Sequence, residues 1–91
     1  MQFEWDLQKA TRNLARHGVS FEEAATVFAD PQAMTYFDPD HSDQEDRFLT
    51  IGNSSAGRLL MVSHTDRGEL TRIINSRKLT RRERKQYEEE T

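Results

Sequence analysis

The chain of 91 residues contains no cysteine, which excludes a disulfide framework and a zinc site built from thiolates. It has no internal repeat, no low-complexity tract, and no run near the roughly 18 apolar residues of a membrane helix. The N-terminal residues 1–6 carry acids where a signal peptide needs basic and apolar residues. We therefore expect one small domain, residues 1–91, that is cytoplasmic and does not contact a membrane.

The net charge of −3 is too small to indicate a partner, but it is distributed unevenly along the chain. Residues 19–46 hold eight acids and no Lys or Arg. Residues 67–85 hold eight basic residues and two acids, a local charge of +6. Because binding responds to local potential as well as to total charge, the acidic balance does not exclude a polyanionic partner.

Two helices are predicted near the N-terminus. Asp6 is a suitable N-cap for the first helix, which has Leu7, Ala10 and Leu14 on one face and ends at Gly18. The second helix begins with a capping box and ends before Pro31. The capping box is Ser20 with Glu23, and the predicted buried stripe is Phe21, Ala24, Ala25 and Phe28.

The rest of the sequence up to residue 77 predicts strands, at residues 33–37, 47–53, 58–65 and 70–77, with a short edge strand possible at residues 3–5. Thr80 and Glu83 form another capping box, which opens a last helix to about Glu90. That helix has almost no apolar stripe, so we expect it to fray or to pack on another molecule. The predicted class is α+β, with two N-terminal helices on an antiparallel sheet of about four strands and a C-terminal helix.

The basic segment is the main candidate for a functional surface, because Arg and Lys bind phosphate oxygens by charge and hydrogen bonds. Its members are Arg72, Arg77, Lys78, Arg81, Arg82, Arg84 and Lys85. An alternative interpretation, nearly as good, is that these basic residues form only a solvated helix face whose charge is balanced by the acids at residues 88–90. Arg72 and Arg77 favour function, because they flank the apolar pair Ile73-Ile74 and a guanidinium on a sheet face usually has an anionic partner.

Metal-free RNA cleavage needs a base, an acid and cations that stabilise the charged transition state. His64 alternates with Arg58, Leu60 and Val62, so the sequence places it near Arg72 or Arg77 on the next strand. A histidine bonded to a carbonyl at a strand end fits the pattern equally well. Tyr87 has few apolar neighbours and is the second candidate for proton transfer.

No metal site or cofactor is predicted. The loop Asp38-x-Asp40-x-Ser42 resembles the start of an EF-hand, but Asp43 stands at the required glycine position and Leu49 at the closing glutamate position. No spacing of His, Asp and Glu indicates zinc, and no glycine-rich phosphate loop is present.

The ordered set of motifs resembles the BrnT toxins, which are ribonuclease toxins of type II toxin–antitoxin modules. The resemblance begins with Phe3-x-Trp5-Asp6-x-x-Lys9-x-x-x-Asn13-x-x-x-His17-Gly18-Val19-x-Phe21, Glu23-Ala24 and Phe28-Ala29-Asp30-Pro31. It continues with Arg47-Phe48-x-x-Ile51-Gly52, Gly57-Arg58-Leu59-Leu60-x-Val62, Arg72-Ile73-Ile74-x-Ser76-Arg77-Lys78 and Glu83-Arg84-x-x-Tyr87.

The resemblance implies a RelE-like fold with helices on one face of an antiparallel sheet, and metal-independent RNA cleavage that stops translation. It also implies a BrnA-type antitoxin with a ribbon-helix-helix part, so that operator DNA is reached through the antitoxin. It supplies no fixed catalytic constellation, so the site residues are assigned from chemistry. Arg72 and Arg77 are expected to hold the scissile phosphate, and His64 or Tyr87 to transfer protons; Lys9, Arg58, Lys78 and Arg81 are expected RNA contacts.

Two other functions remain open at the level of sequence. The same basic face would serve a non-catalytic module that binds RNA or ribosomes. Alternatively, the polar last helix and the acidic segment would serve a protein-interaction domain. Three results distinguish the functions. A ribonuclease cleaves RNA, a non-catalytic module binds RNA or ribosomes without cleavage, and a protein-interaction domain binds neither RNA nor ribosomes.

Overall fold

A five-stranded sheet carries all the other elements of the molecule. In the computed structural model, which describes residues 1–90, the sheet order is β1-β5-β4-β3-β2. The strands are β1 (Gln2–Glu4), β2 (Met34–Phe37), β3 (Phe48–Asn53), β4 (Leu59–Arg67) and β5 (Leu70–Lys78). The helices are α1 (Leu7–His17), α2 (Phe21–Thr26) and α3 (Arg81–Glu90), with single 3₁₀ turns at Val27–Ala29 and Pro39–His41.

The predicted α+β class is confirmed, but the predicted sheet was wrong in strand number and direction. β1 is a full edge strand, and it runs parallel to β5, with Phe3 opposite Thr71. The other three pairings are antiparallel. A segment of three residues is too short to show a period of two, and its partner lies 68 positions away in the chain. Neither its pairing nor its direction was therefore visible in the sequence.

The hydrophobic core lies on one face of the sheet, called the inner face here. It consists of Val19, Phe21, Ala24 and Val27 from the α1–α2 region and Leu60, Val62 and Ile73 from the two central strands. Trp5 borders it, with its ring edge-on to Phe21 at a centroid distance of 6.0 Å. The capping residue Ser20 accepts a hydrogen bond from the Glu23 backbone N–H at 3.0 Å, and this fixes the start of α2.

Helix α1 is positioned by a polar contact. Its predicted caps are present: Asp6 accepts from two backbone N–H groups, and Gly18 has a φ of 68°. The face that carries Leu7, Ala10 and Leu14 is mostly exposed: Leu7 is 77% and Leu14 53% exposed, and of the three only Ala10 packs against the core. The buried side chain of this helix is Asn13, and its amide bonds to backbone groups on both sides. The helix is therefore turned so that the amide, and not the leucine stripe, points inward.

Helix α3 lies against the opposite face of the sheet, called the outer face here. Met34, Ile51, Met61 and Arg77 are in register across four strands, so their side chains share this face. Thr80 and Glu83 form the predicted capping box, with each side chain accepting the other's backbone N–H. The helix was expected to fray or to pack on another molecule; instead it packs on its own sheet, mainly through polar contacts.

Candidate functional site

A cleft of about 220 Å³ lies between α3 and the outer face of the sheet. Strands β2, β3 and β4 form its floor and α3 forms its wall. The lining residues are Tyr36, Ile51, Met61, Glu83, Gln86, Tyr87 and Glu90. Two tyrosine hydroxyls, two carboxylates and an adjacent guanidinium meet here over an apolar floor.

Arg77 lies beside this cleft and is gripped by α3. Its two terminal nitrogens donate to the two carboxylate oxygens of Glu83 at 2.8 and 2.9 Å, and one of them also contacts the Met61 sulfur at 3.5 Å. The hydrogen bonds from Arg77 lower the pKa of Glu83 to about 2, and the same bonds raise the pKa of Arg77. Both groups are therefore charged at neutral pH, and the pair fastens the first turn of α3 to β5.

The two tyrosines of the cleft both donate hydrogen bonds through their hydroxyl groups. Tyr87 is 8% exposed, and its hydroxyl donates to the Gln32 carbonyl at 3.1 Å. Burial raises the pKa of Tyr87, so the phenol stays protonated at neutral pH. Tyr36 donates to Glu90 at 2.8 Å, and this hydrogen bond is the main cause of the raised pKa of Tyr36.

His64 does not join this group. Its side chain shares the face of Val62, as the alternation predicted, but that face is the inner one, and the imidazole is 5% exposed. Nε2 lies 2.7 Å from the Thr50 hydroxyl, and the ring packs between Phe28 and Phe48. Burial lowers the pKa of His64, so the ring is neutral at neutral pH. The expectation that it lies near Arg72 or Arg77 is not met: its register partner on β5 is Ile73, and both arginines project from the opposite face of the sheet.

Arg72 is also separated from Arg77. Its guanidinium is paired with Glu4 of the edge strand β1. Four residues of β5 lie between the two arginines, so they are five steps apart, roughly 16 Å at about 3.3 Å per residue. The structure therefore does not bring Arg72 and Arg77 together at one phosphate.

The four predicted RNA contacts fall into two classes. Arg58 is committed to the fold, because it donates two hydrogen bonds to Glu23, at 2.9 and 2.5 Å, and one to the Gly18 carbonyl. Lys9, Lys78 and Arg81 are exposed, and none forms an ion pair with a carboxylate among residues 1–90. These three remain accessible to a polyanion.

Two residues of the cleft were missed in the sequence. Glu83 was identified only as a helix cap, although its carboxylate both caps α3 and holds Arg77. No sequence motif marks Tyr36, because its contact with Glu90 forms only where α3 passes over β2 in the folded protein. No residue among 1–90 belongs to a cluster of three or more His, Asp or Glu side chains arranged to hold a metal ion. None of the three helices is long and apolar enough to span a membrane.

Comparison with known proteins gives a consistent result. Residues 5–83 match the family model described as the ribonuclease toxin BrnT of type II toxin–antitoxin systems. No curated protein matches. The crystal structure of the Brucella abortus ribonuclease toxin BrnT superimposes with a TM-score of 0.68 at 23% sequence identity, over 89% of this chain and 99% of that one. At that identity the superposition shows a common fold. The family match confirms the resemblance found in the motifs: this chain belongs to the BrnT family of ribonuclease toxins of type II toxin–antitoxin systems.

Proposed function

We propose that this protein cleaves RNA without a metal ion, at the cleft between α3 and the outer face, and that this cleavage stops translation. The observation that carries the proposal is the bidentate hydrogen bonding of the Arg77 guanidinium to the Glu83 carboxylate. Carboxylate and phosphate are recognised by the same planar fork of guanidinium donors. The Glu83 carboxylate therefore occupies the position that a phosphate of the substrate would take.

The attachment of α3 supports this proposal, because the helix is held weakly enough to move. Tyr87 is its one buried side chain among residues 81–90. Its other anchors are polar, namely the Arg77–Glu83 pair and the bond from Tyr36 to Glu90. Helices whose packing is sparse and polar sit at the low-stability end of a structure. An incoming phosphate replaces a polar contact and does not have to disrupt the core.

The proposed reaction uses three side chains. Arg77 binds the scissile phosphate and stabilises the charge that develops on it. Glu83 is a poor base while it holds Arg77, because its pKa is about 2; loss of that cation to the phosphate makes it a better one. Glu83 takes the proton of the 2′-hydroxyl, O2′ attacks phosphorus, and the bond to the 5′ oxygen breaks. Tyr87 gives its proton to that oxygen, leaving a 2′,3′-cyclic phosphate and a 5′-hydroxyl.

The other sequence candidates have smaller parts in the proposal. Lys78 and Arg81 lie at the junction of β5 and α3, next to Arg77 in the chain, and are proposed phosphate contacts. Arg72 and His64 stay predictions as catalytic groups. Arg72 would have to leave Glu4, and His64 would have to leave the space between Phe28 and Phe48.

The partner is proposed to be a BrnA-type antitoxin with a ribbon-helix-helix part, acting in the cytoplasm. The family description names a type II toxin–antitoxin system, which supports an antitoxin partner. We also propose that the fold is RelE-like. We expect the antitoxin to cover α3 and the basic face, since this blocks Arg77 and Tyr87 directly. A complex that leaves Arg77 and the mouth of the cleft open to solvent would contradict this arrangement.

The direct test is RNA cleavage by the purified protein in the presence of a chelator, with and without ribosomes. The wild type is expected to cut, and Arg77→Ala to cut at least about 100-fold more slowly, because the lost donors act on the transition state. Arg67→Ala is the matched control; Arg67 is also an arginine paired with a glutamate, but it lies at the far end of β4. Binding without cleavage would favour the non-catalytic module and overturn the proposal.

Glu83→Gln separates the two roles of Glu83. Glutamine preserves the capping box but loses the charge that holds Arg77. The variant is expected to bind uncleavable RNA several-fold more tightly and to cleave RNA more slowly. A purely structural role for Glu83 predicts no gain in RNA affinity.

A further inference from the structure

A second surface lies outside the cleft, where α1 crosses beside β5. It is an open groove of about 530 Å³, lined on the helix side by Lys9, Arg12 and Arg16 and on the strand side by Ile74 and Asn75. β1 pairs with β5 only from Leu70 to Arg72, so this part of the strand has no neighbour of the sheet on the α1 side. Two hydrogen bonds between Asn13 and Ser76 cover that edge and set the helix in place: the Asn13 amide donates to the Ser76 carbonyl and accepts the Ser76 backbone N–H.

Arg12 and Arg16 have no charged partner among the described residues, whereas Lys9 lies beside Asp6, which accepts a hydrogen bond from its backbone N–H and is also stabilised by its ammonium charge. Lys9, Arg12 and Arg16 are exposed, and none forms an ion pair with a carboxylate among the described residues. In contrast, the arginines on or next to the strands are each paired with a glutamate: Arg47, Arg58, Arg67, Arg72 and Arg77. Helix α1 itself contains no acid. Positive charge without a neutralising partner is available to an external anion.

The spacing of these cations suits an extended anion. Positions 9, 12 and 16 differ by three and four residues, so the three side chains lie on one side of the helix. They follow about 10 Å of helix axis at 1.5 Å per residue. Between them and the strand, Ile74 offers an apolar surface and Asn75 an exposed amide without a hydrogen-bond partner among residues 1–90. Cations beside an apolar floor and a free amide fit a strand that has both phosphates and unstacked bases.

The groove also leads to the cleft. Asn75 and Arg77 are two residues apart on β5, about 7 Å at the rise of a strand, and both side chains project to the same face by alternation. Asn75 lines the groove, and Arg77 borders the cleft on the outer face. A strand that leaves the groove over the edge of β5 therefore arrives at the guanidinium that holds the scissile phosphate.

We infer that the groove between α1 and β5 binds single-stranded RNA, and that it holds the segment next to the one being cut. The inference rests on the proposed ribonuclease function for the identity of the anion and for the link to Arg77. The groove adds to that function a site for substrate binding, in which Arg12 and Arg16 contact phosphates together with Lys9.

The test measures binding alone, with a fluorescent single-stranded RNA carrying 2′-O-methyl groups, which lacks the attacking hydroxyl. The triple variant Lys9→Ala/Arg12→Ala/Arg16→Ala is compared with Arg67→Glu/Gln44→Glu, which lowers the net charge by the same three units at exposed positions outside the groove and the basic segment. Each phosphate contact contributes about 0.7 to the slope of log affinity against log salt for a single strand. The groove variant is expected to lose about 2 from that slope and at least about tenfold in affinity at low salt, while the control changes less than about twofold.

Three results would overturn the inference. The groove variant, with an unchanged thermal midpoint, could bind RNA as the wild type does. The control could weaken binding equally, which would indicate charge without a site. The groove variant could bind RNA normally but lose the antitoxin, which would assign the groove to an acidic protein. Because the probe cannot be cut, failure of the Arg77 cleavage test leaves this measurement interpretable, and a normal Arg77 result does not rescue a groove that fails.

Discussion

At the scale of single residues, two similar motifs end in different contacts. Thr80 and Glu83 close a full capping box, and Glu83 also holds Arg77. Ser20 caps α2, but the Glu23 carboxylate turns away to Ser54 and Arg58. The spacing predicted both helix starts, because a cap depends on neighbours in the chain. It did not predict the ion pairs, because the arginine partners come from strands placed there by the fold.

His64 gives a prediction about pH. Burial among aromatic rings lowers its pKa below the ordinary 6.5, so the unfolded chain takes up the proton first. The stability contributed by neutral His64 is complete above about pH 6.5 and is lost as the pH falls through the pKa of the folded state. The free energy of unfolding is therefore expected to decline as the pH falls below about 6.5, above the range in which carboxylates titrate.

Chemical denaturation at several pH values measures this slope. His64→Gln has no titrating group and is expected to flatten it, whatever its absolute stability. Thr11→Ala, at an exposed position of α1 and without a titrating side chain, is the control and should keep the slope. An unchanged slope in His64→Gln would contradict the assignment of the pH dependence to the buried ring.

At the scale of elements, α1 shows what a hydrophobic pattern can miss. Leu7, Ala10 and Leu14 follow helical spacing and correctly indicate a helix, but Asn13 is the side chain that faces the interior. Its amide replaces the hydrogen bonds that a neighbouring strand would make to Ser76. It accepts the Ser76 backbone N–H at 3.1 Å and donates to the Ser76 carbonyl at 2.8 Å. Hydrophobic periodicity cannot identify a buried polar side chain, so it gave no indication that Asn13 anchors the helix.

Asn13→Ala is expected to cost about 2–4 kcal/mol of unfolding free energy, since it leaves the Ser76 N–H and the Ser76 and Val19 carbonyls without their buried partner. Urea unfolding measures the loss. Thr11→Ala, on the exposed side of the same helix, is the control for helix propensity and should change stability by less than about 0.5 kcal/mol. A loss in Asn13→Ala no larger than in the control would show that the amide does not anchor α1.

At the scale of the whole molecule, the sequence predicted the α+β class and the four antiparallel strands, because alternation and turn residues are local. It did not predict β1 beside β5, or α3 on the outer face, because both depend on contacts between distant segments. The same limit applies to the site. Arg77 and Tyr87 were identified from chemistry and are close to one cleft, whereas Glu83, Tyr36 and the cations Arg12 and Arg16 gained their interest only from their neighbours in the fold.

The proposed cleavage of RNA at the cleft under α3 requires Tyr87 as the proton donor. Single-turnover cleavage by Tyr87→Phe, in the presence of a chelator, measures that role. The variant loses one hydrogen bond, to the Gln32 carbonyl, and is expected to fold and to bind uncleavable RNA nearly as the wild type does. Its cleavage rate is expected to fall at least about 100-fold, the usual contribution of a positioned acid. A wild-type cleavage rate in this variant would contradict the proposed role of Tyr87 as the proton donor at this cleft.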